Sequence, residues 1–211
     1  MELIEMGGIE GLTLQRLAES LGYVTTAIYR YFESKDALIA ALQRKTIGDL
    51  QVYFEQQVAK QVAALDHTVD QTRCLAAILA TAQLYLGLPS AQPRAWHLIA
   101  TLLGDPRLLL SDDESRRAAP ALGAFLGGIE VLFATAANEG SIRPGDARHR
   151  TLMFWAALHG ALCVSKVHRI AGNLPSAHLI GLEAVRGLLI SFGATTARLS
   201  AAARALERGP G

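Results

Sequence analysis

The sequence has few of the residues that mark disulfide-based stability or metal binding. Its 211 residues include two cysteines, Cys74 and Cys163, which are far apart and match no paired metal or redox spacing. Two widely separated thiols are typical of a protein from a reducing compartment, and we interpret both as ordinary buried side chains. The sequence therefore predicts neither a disulfide framework nor a cysteine-ligated metal.

No charge of one sign dominates, and no apolar run is long enough for a membrane span. Lys and Arg number 20 against 19 Asp and Glu, so any signal for nucleic acid must be local. The uncharged stretches at 74–93 and 151–165 are interrupted or shorter than the roughly 20 apolar residues a span needs. The N-terminus has no basic segment typical of a signal peptide. We expect a soluble cytoplasmic protein.

Catalytic motifs are absent as well. We find no Gly-rich phosphate loop, no nucleophile elbow and no HExxH, and the six histidines show no ligand spacing with cysteines or carboxylates. The sequence predicts that the protein is not an enzyme and has no cofactor or metal site.

Apolar residues recur at helical spacing, without the alternation that indicates strands. The fold class is therefore all-α, with about nine or ten helices separated by turn signals. We expect breaks at Gly22, Glu33–Ser34, Leu88–Pro89 and 172–176, among others. The organisation predicted is a helix-turn-helix domain at 1–47, with a shortened first helix, and a helical domain at 48–211.

One stretch carries a specific signal: "GLTLQRLAESLGYVTTAIYRYFESKDALIAAL", residues 11–42. Thr13 is a good N-cap, and the helix after it has apolar residues at i, i+3, i+4 and i+7. Gly22 ends that helix and accepts the positive φ of a tight turn. Only about three residues separate it from the next helix, which is helix-turn-helix spacing.

In the next helix, Val24, Ile28 and Phe32 are four residues apart and are predicted to pack back onto the first, leaving Thr26, Tyr29 and Arg30 outward. Hydroxyl groups can bind phosphate oxygens, and an Arg fork can read guanine. Ser34 would cap the following helix and place Lys35 in its first turn. The alternative is a plain corner of an all-α core, but exposed aromatics beside Arg and Lys are poor core residues.

The stretch resembles the N-terminal DNA-binding domain of the TetR family of bacterial transcriptional regulators. The resemblance covers about 32 residues and includes the Thr-capped helix, the Gly turn, the Tyr-x-Tyr-Phe end of the recognition helix, and the x-Ser-Lys opening of a long helix. It implies that Arg30 and the start of the recognition helix face bases, that Thr13 caps its helix near a phosphate, and that five residues contact the operator backbone: Thr25, Thr26, Tyr29, Tyr31 and Lys35.

The stretch departs from the family pattern at three places. Val24 stands where a capping residue is usual, so we expect Thr25 to take over the cap, and Tyr31 replaces the commoner His. The first helix has at most six residues, and residues 1–48 carry five basic against six acidic residues, a net charge of −1. That is low for a domain that neutralises phosphates. We therefore expect the native start to lie upstream, which an intact mass beginning at Met1 would refute.

The C-terminal region has aromatic and polar residues within aliphatic helices, as in a mostly apolar small-molecule site with a few polar groups. Each could equally be a core side chain. The segment "EGSIRPGDARHRTLMFWAALHGALCVSKV", residues 139–167, is similar to the ligand-binding domains of TetR-family proteins. The candidate effector-binding residues are Tyr85, Trp96, His97, Phe125, Trp155 and His159.

Two long helices, at about 145–171 and 176–206, are predicted to end the chain. They carry the small residues Ala156, Gly160, Gly181 and Gly187, and in the family the last two helices form a four-helix dimer interface. The resemblance implies a homodimeric repressor that binds a pseudo-palindromic operator and is released by a small apolar or amphipathic effector. The alternative is a helical ligand-binding dimer that has lost DNA binding.

Overall fold

The computed structural model describes residues 11–65, 70–104, 110–164 and 175–208, and within these ranges it is all-α with no strand, as predicted. Nine helices lie in the described part of the chain. In order they are α1 Leu14–Leu21, α2 Thr25–Tyr29, α3 Lys35–Ala63, α4 Asp70–Ala91, α5 Pro93–Gly104, α6 Asp112–Asn138, α7 Ala147–Cys163, α8 Ala177–Ser191 and α9 Thr196–Glu207. The predicted first helix falls outside the described residues.

The chain forms two compact units. One comprises Met1–Leu50 and Pro89–Gly123, and the other comprises Gln51–Leu88 and Ala124–Gly211. The predicted boundary at 47/48 lies close to the first division, but residues 89–123, which we had assigned to the second domain, group with the N-terminal segment. The functional division between the two predicted domains stays a prediction.

The core of the first unit is built from the inner faces of short helices and the first half of α3. Leu14 and Ala18 of α1 meet Ile28 of α2, and Leu98 of α5 is also fully enclosed. Leu17 and Phe32 pack against the edge of this cluster. Burial of these side chains, each worth about 1.5–3 kcal/mol for a large aliphatic residue, fixes α2 although it has only five residues.

In the second unit, α4 supplies a nearly continuous buried segment from Leu75 to Ala82, and α7 packs against α8. The close approach of these helices depends on Gly181 of α8, where a Cβ would lie 2.6 Å from Cδ2 of Leu86 and 3.3 Å from Cβ of Ala161. Of the four small residues we had named for close packing, Gly160 and Gly187 have no atom within 4 Å of a built Cβ. Gly160 and Gly187 are therefore open to the outside of the unit.

Two predicted helix boundaries are wrong. Pro89 lies inside α4, and the break comes at Gln92, because Pro93 takes the first position of α5, where a missing N–H costs nothing. The helix predicted at 176–206 is interrupted at Gly193, whose φ is +106°. Of the helix predicted at 145–171, α7 accounts for Ala147–Cys163, and residues 165–174 fall outside the description.

The turn "RPGD" at 143–146 ties α6, α7 and the end of α8 together. Asp146 caps α7 by accepting a hydrogen bond from the His149 amide at 3.1 Å. Arg150 donates to the Arg143 carbonyl at 2.8 Å, and Arg143 in turn donates to the Ser191 carbonyl at 2.6 Å. These bonds account for the break after α8, since the Arg143 side chain occupies the space beside Gly193.

Two helices, α4 and α6, are long and apolar enough to cross a membrane by length and composition alone. The apolar window of α4 is 61% buried inside the protein, as expected for a core helix of a globular unit, and that of α6 is 22% buried. The exposed apolar side of α6 includes Gly128 and Val131.

Candidate DNA-binding surface and effector cavity

The turn between α1 and α2 has the geometry that the sequence predicted. The Thr13 hydroxyl accepts from the Arg16 amide at 3.1 Å and so caps α1. Gly22 is left-handed, with φ +70°, and the Tyr23 amide donates to the Ala18 carbonyl at 2.9 Å. This bonding satisfies the free carbonyls at the end of α1 and sets the direction in which α2 begins.

Helix α2 starts without a side-chain cap. Val24 occupies the N-cap position and makes no capping bond, and Thr25 is the first helical residue rather than the cap we expected. The prediction that Val24 packs on α1 is also wrong, because its side chain is 70% exposed. Ile28 and Phe32 do pack inward, so α2 is held from one side only.

The start of α3 follows the prediction. The Ser34 hydroxyl accepts from the Ala37 amide at 3.0 Å, which makes Lys35 the first residue of the helix. Asp36 in the same turn accepts from the Ser111 amide at 3.3 Å. That contact fixes the first turn of α3, and with it the position of Lys35, within the first unit.

The predicted DNA-binding residues lie on one short segment of chain, and most of them are exposed. Tyr29 is 54% and Tyr31 80% exposed, and Arg30 between them is also exposed. Thr13 and Thr26 are exposed, whereas Thr25 and Lys35 are half-buried. We call these seven residues the recognition surface: Thr13, Thr25, Thr26, Tyr29, Arg30, Tyr31 and Lys35.

Sequence reasoning missed Tyr23, which lies in the turn directly before α2 and is 62% exposed. Its neighbours Leu21 and Val24 are exposed as well. Large apolar side chains that are exposed together, as these three are, usually belong to a surface that binds a partner molecule. The signal was available in the sequence as an aromatic residue placed in a glycine turn.

The second unit contains an apolar cavity of about 320 Å³ between α3, α4 and α6. Phe54 and Phe125 form part of its wall, with ring centroids 5.3 Å apart in an edge-to-face arrangement. The Thr81 hydroxyl in the wall is satisfied by the Ala77 carbonyl at 2.8 Å. The lining residues are Gln51, Phe54, Glu55, Val58, Ala59, Val62, Ala77, Thr81, Phe125, Gly128, Ile129 and Leu132.

Three of the predicted effector-binding residues form a polar cluster in this unit. The Trp155 indole donates to the Tyr85 hydroxyl oxygen at 3.1 Å, and the Tyr85 hydroxyl lies 2.9 Å from Nδ1 of His159. An indole N–H can only donate, so the Tyr85 oxygen accepts from Trp155, and the direction of its bond with Nδ1 depends on the tautomer of His159. Trp155 and His159 also stack, with centroids 5.1 Å apart.

Burial shifts the pKa of both ionisable groups in the cluster toward the neutral form. It lowers the pKa of His159 below its ordinary 6.5 and raises the pKa of the Tyr85 hydroxyl far above its usual value. The Trp155 hydrogen bond acts in the opposite direction on Tyr85 but is the smaller effect. The cluster is therefore uncharged at neutral pH.

The structure brings together only some of the predicted effector-binding residues. Phe125 lines the cavity, and Phe54 in the same wall lies 6.5 Å from the Tyr85 ring, so the polar cluster is adjacent to the cavity wall. Trp96, half-buried, and His97, exposed, are on α5 in the first unit and line neither this cavity nor the one described below.

Sequence reasoning missed the α3 contribution to the cavity. Phe54, Val58 and Val62 are spaced four residues apart, which predicts one helix face, but it does not say what that face meets. Cys163 is exposed and Cys74 half-buried, so the expectation of two buried thiols is wrong for Cys163. The described residues hold no group of three or more His, Cys, Asp or Glu side chains that could bind a metal ion.

A Thr-capped helix, a left-handed glycine turn, and a short second helix with exposed Tyr and Arg residues define a helix-turn-helix DNA-binding protein. Residues 1–42 match the model of the family described as bacterial regulatory proteins, tetR family. This match supports the predicted resemblance to the TetR family of transcriptional regulators. The prediction that the protein is not an enzyme agrees with the regulatory function of the similar proteins.

Similar curated proteins include the HTH-type transcriptional regulators Rv1816 of Mycobacterium tuberculosis and Mb1846 of Mycobacterium bovis. Each is 25% identical over 225 residues, covering 90% of this chain and 90% of the relative. Among solved structures, the transcriptional regulator FadR from Bacillus subtilis in complex with stearoyl-CoA has a TM-score of 0.63 at 15% identity, covering 89% of this chain and 92% of that one.

A second similar structure is AibR in complex with isovaleryl coenzyme A and operator DNA. It has a TM-score of 0.56 at 18% identity and covers 92% of this chain and 94% of that chain. At these identities the structural likeness concerns the fold.

Proposed function

We propose that the protein is a cytoplasmic repressor that binds a pseudo-palindromic operator as a homodimer and is released by a small apolar or amphipathic effector. The observation that carries the proposal is the exposed Tyr29-Arg30-Tyr31 segment, held by the buried Ile28 and followed by Lys35 at the start of a capped helix. Arg30 can form two parallel hydrogen bonds to a guanine edge, and the hydroxyl groups and Lys35 suit phosphate oxygens.

The DNA-binding part is tested by selecting sites from a random duplex library and titrating the best site with salt. An inverted repeat with half-sites about 34–36 Å apart is expected. Lys35→Ala should weaken binding evenly and reduce the salt slope by about 1, whereas Arg30→Ala should cost roughly 1–3 kcal/mol and relax the choice at one base pair.

Lys45→Ala is the matched control for Lys35→Ala. It removes an exposed lysine of the same helix whose ammonium group is paired with Asp49 at 2.8 Å, away from the recognition surface. If the two lysine substitutions lower operator affinity equally, or if Arg30→Ala leaves it unchanged, the recognition surface does not contact the operator as proposed.

The dimer is proposed to form through α7 and α8. Their buried faces pack on the protomer, and their outer faces expose aliphatic and small residues at helical spacing: Leu152, Met153, Ala156 and Gly160 on α7, Val164 directly after it, and Leu179, Gly187 and Ile190 on α8. Aliphatic side chains next to open glycines allow a second pair of helices to pack closely, as in a four-helix interface.

Light scattering after size-exclusion chromatography tests this interface. Ile190→Glu places a charge on an exposed position of α8 and should convert the dimer to a monomer. Val131→Glu, which alters an equally apolar and 63% exposed residue of α6, should leave the mass unchanged. A dimer that persists with Ile190→Glu places the interface elsewhere.

The apolar cavity is proposed as the effector site, because about 320 Å³ is within the usual range of small-molecule sites and its wall is nearly all apolar. The neighbouring structures solved with stearoyl-CoA and isovaleryl coenzyme A support an effector with an aliphatic part. Such an effector would release the operator if it bound the conformation that cannot bind DNA more tightly than the other, by a few kcal/mol. That difference shifts the equilibrium between the two conformations substantially.

The net charge of −1 over residues 1–48 favours a second candidate, a ligand-binding dimer that no longer binds DNA. Site selection distinguishes the two functions. No enriched sequence from a dimeric protein that binds apolar ligands would favour the second candidate.

A further inference from the structure

A second cavity adjoins the apolar one within the same unit. It has a volume of about 310 Å³ and shares three wall residues with the first, Val62, Ala77 and Leu132, so the two cavities are adjacent. The second cavity is polar where the first is not, since its other lining residues are Asp70, Arg73, Cys74, Thr135 and Glu139. We call it the acidic cavity.

The charged residues that line the two cavities are mostly acidic. The apolar cavity has Glu55 as its one charged lining residue and no basic one, and the acidic cavity has Asp70 and Glu139 against Arg73. Nη2 of Arg73 donates to the Leu65 carbonyl at 3.4 Å, whereas its buried Nε has no hydrogen-bond partner among the described residues. Three carboxylates and one guanidinium give a potential that attracts cations and repels anions.

The Cys74 thiol lies in the wall of the acidic cavity, and its deprotonation would place an anion there. Sγ of Cys74 donates to Oε2 of Glu139 at 2.8 Å. Burial first, then the hydrogen bond and charge of Glu139 and the charge of Asp70, raise the pKa of Cys74 to about 12, and the opposing effect of Arg73 is the smallest. A negative charge is therefore unfavourable at this position.

We propose that the effector is a cationic amphiphile whose apolar body fills the apolar cavity and whose amine or quaternary ammonium group lies in the acidic cavity beside Asp70 and Glu139. Carboxylates form charge-assisted hydrogen bonds with ammonium groups, and the two cavities lie side by side along Val62, Ala77 and Leu132, so the proposed ligand extends past these side chains from one cavity into the other. This inference rests on the proposed effector site and assigns its ligand class. The proposed ligand class differs from fatty acids and acyl-CoA molecules, whose head groups are anionic.

Calorimetric titration of the full-length protein with four ligands of one chain length tests the head group. Dodecylamine and dodecyltrimethylammonium, each below its micelle concentration, are expected to bind at least about tenfold more tightly than dodecanoate, with neutral dodecanol between them. Tighter binding of dodecanoate than of the two cationic ligands overturns the proposal. Equal binding of all four overturns the head-group assignment but leaves the effector cavity in place, and binding of none refutes both.

Two substitutions with opposite expected effects on dodecylamine affinity test the position of the head group. Glu139→Gln keeps an acceptor for the Cys74 thiol and removes the charge, so it should weaken dodecylamine binding about three- to fivefold and leave dodecanol unchanged. Arg73→Gln should strengthen dodecylamine binding by a similar factor. Glu207→Gln, at an exposed carboxylate of α9, is the control and should change neither. Unchanged amine affinity in both Glu139→Gln and Arg73→Gln refutes the placement of the head group.

Discussion

The hydroxyl of Tyr85 on α4 lies 2.9 Å from Nδ1 of His159 on α7 and accepts the indole N–H of Trp155 at the same time. One oxygen atom therefore satisfies two polar groups from the neighbouring helix. The Tyr85 ring also meets Phe54 in the wall of the apolar cavity. The cluster thus joins the cavity wall to α7, one of the two helices proposed to form the dimer.

Tyr85→Phe removes that oxygen and keeps the ring. We expect the free energy of unfolding to fall by about 1–3 kcal/mol, because two polar groups lose a shared partner inside the protein. Urea unfolding at a fixed protein concentration measures the effect. Tyr53→Phe, a half-buried residue beside Phe54, should change the stability by less than about 0.5 kcal/mol. Equal losses in both variants would mean that the Tyr85 hydroxyl bonds contribute nothing measurable.

His159 should make the protein less stable in mild acid. Burial lowers the pKa of His159 in the folded state, so below the unfolded pKa of about 6.5 the unfolded chain binds more protons. The free energy of unfolding then decreases as pH falls through 6.5 and below. In His159→Asn, which keeps a polar side chain at this position but has no titratable group, this part of the pH dependence should disappear. Urea titrations from pH 8 to pH 5 on both proteins check it, and parallel curves would refute it.

The helix-turn-helix segment could be predicted because its signals are local. The Thr13 cap, the left-handed Gly22 and the Ser34 cap each act within three or four residues, and each was found as predicted. The two errors there concern the start of α2, where helical spacing predicted an inward Val24 side chain and Thr25 was expected to be the cap. Helix α2 begins only at Thr25, so Val24 is not yet on the helix.

The cavities could not be predicted in the same way, because they depend on which helix faces meet. The spacing of Phe54, Val58 and Val62 indicates a buried stripe, but the opposite wall comes from α6, more than 60 residues further along the chain. Gly193 is a similar case. A glycine inside a helical pattern is compatible with an uninterrupted helix, and the break follows from the packing of Arg143 against it.

Gly22 is the residue whose backbone conformation sets the turn before α2. Its φ of +70° is unfavourable for a residue with a Cβ, although no atom lies within 4 Å of the Cβ position. Gly22→Ala should therefore lower the free energy of unfolding by about 1 kcal/mol through strain alone. Gly48→Ala, inside α3 and also without neighbours within 4 Å, should raise it by about 0.5–1 kcal/mol. Urea midpoints that move in the same direction would contradict this account of the turn.

Two adjacent glycines of α6 provide a test of the effector cavity. Gly128 lines the apolar cavity and Gly127 does not, and neither has an atom within 4 Å of its Cβ position. Gly128→Leu should fill part of the space and lower the affinity for dodecanol at least about tenfold, since displacing two methylene groups already costs about 1.6 kcal/mol. Gly127→Leu gains the same helix propensity and should bind dodecanol as the parent protein does.

Operator affinity without ligand should be unchanged in both leucine variants, because the substitutions lie in the second unit. In the parent protein dodecanol should release the operator, and in Gly128→Leu it should require about ten times more ligand. If dodecanol binds equally to both variants, the ligand occupies another site. If Gly128→Leu loses binding but the parent protein keeps its operator in the presence of dodecanol, the cavity binds apolar molecules without controlling DNA, which is the behaviour expected of the second candidate function.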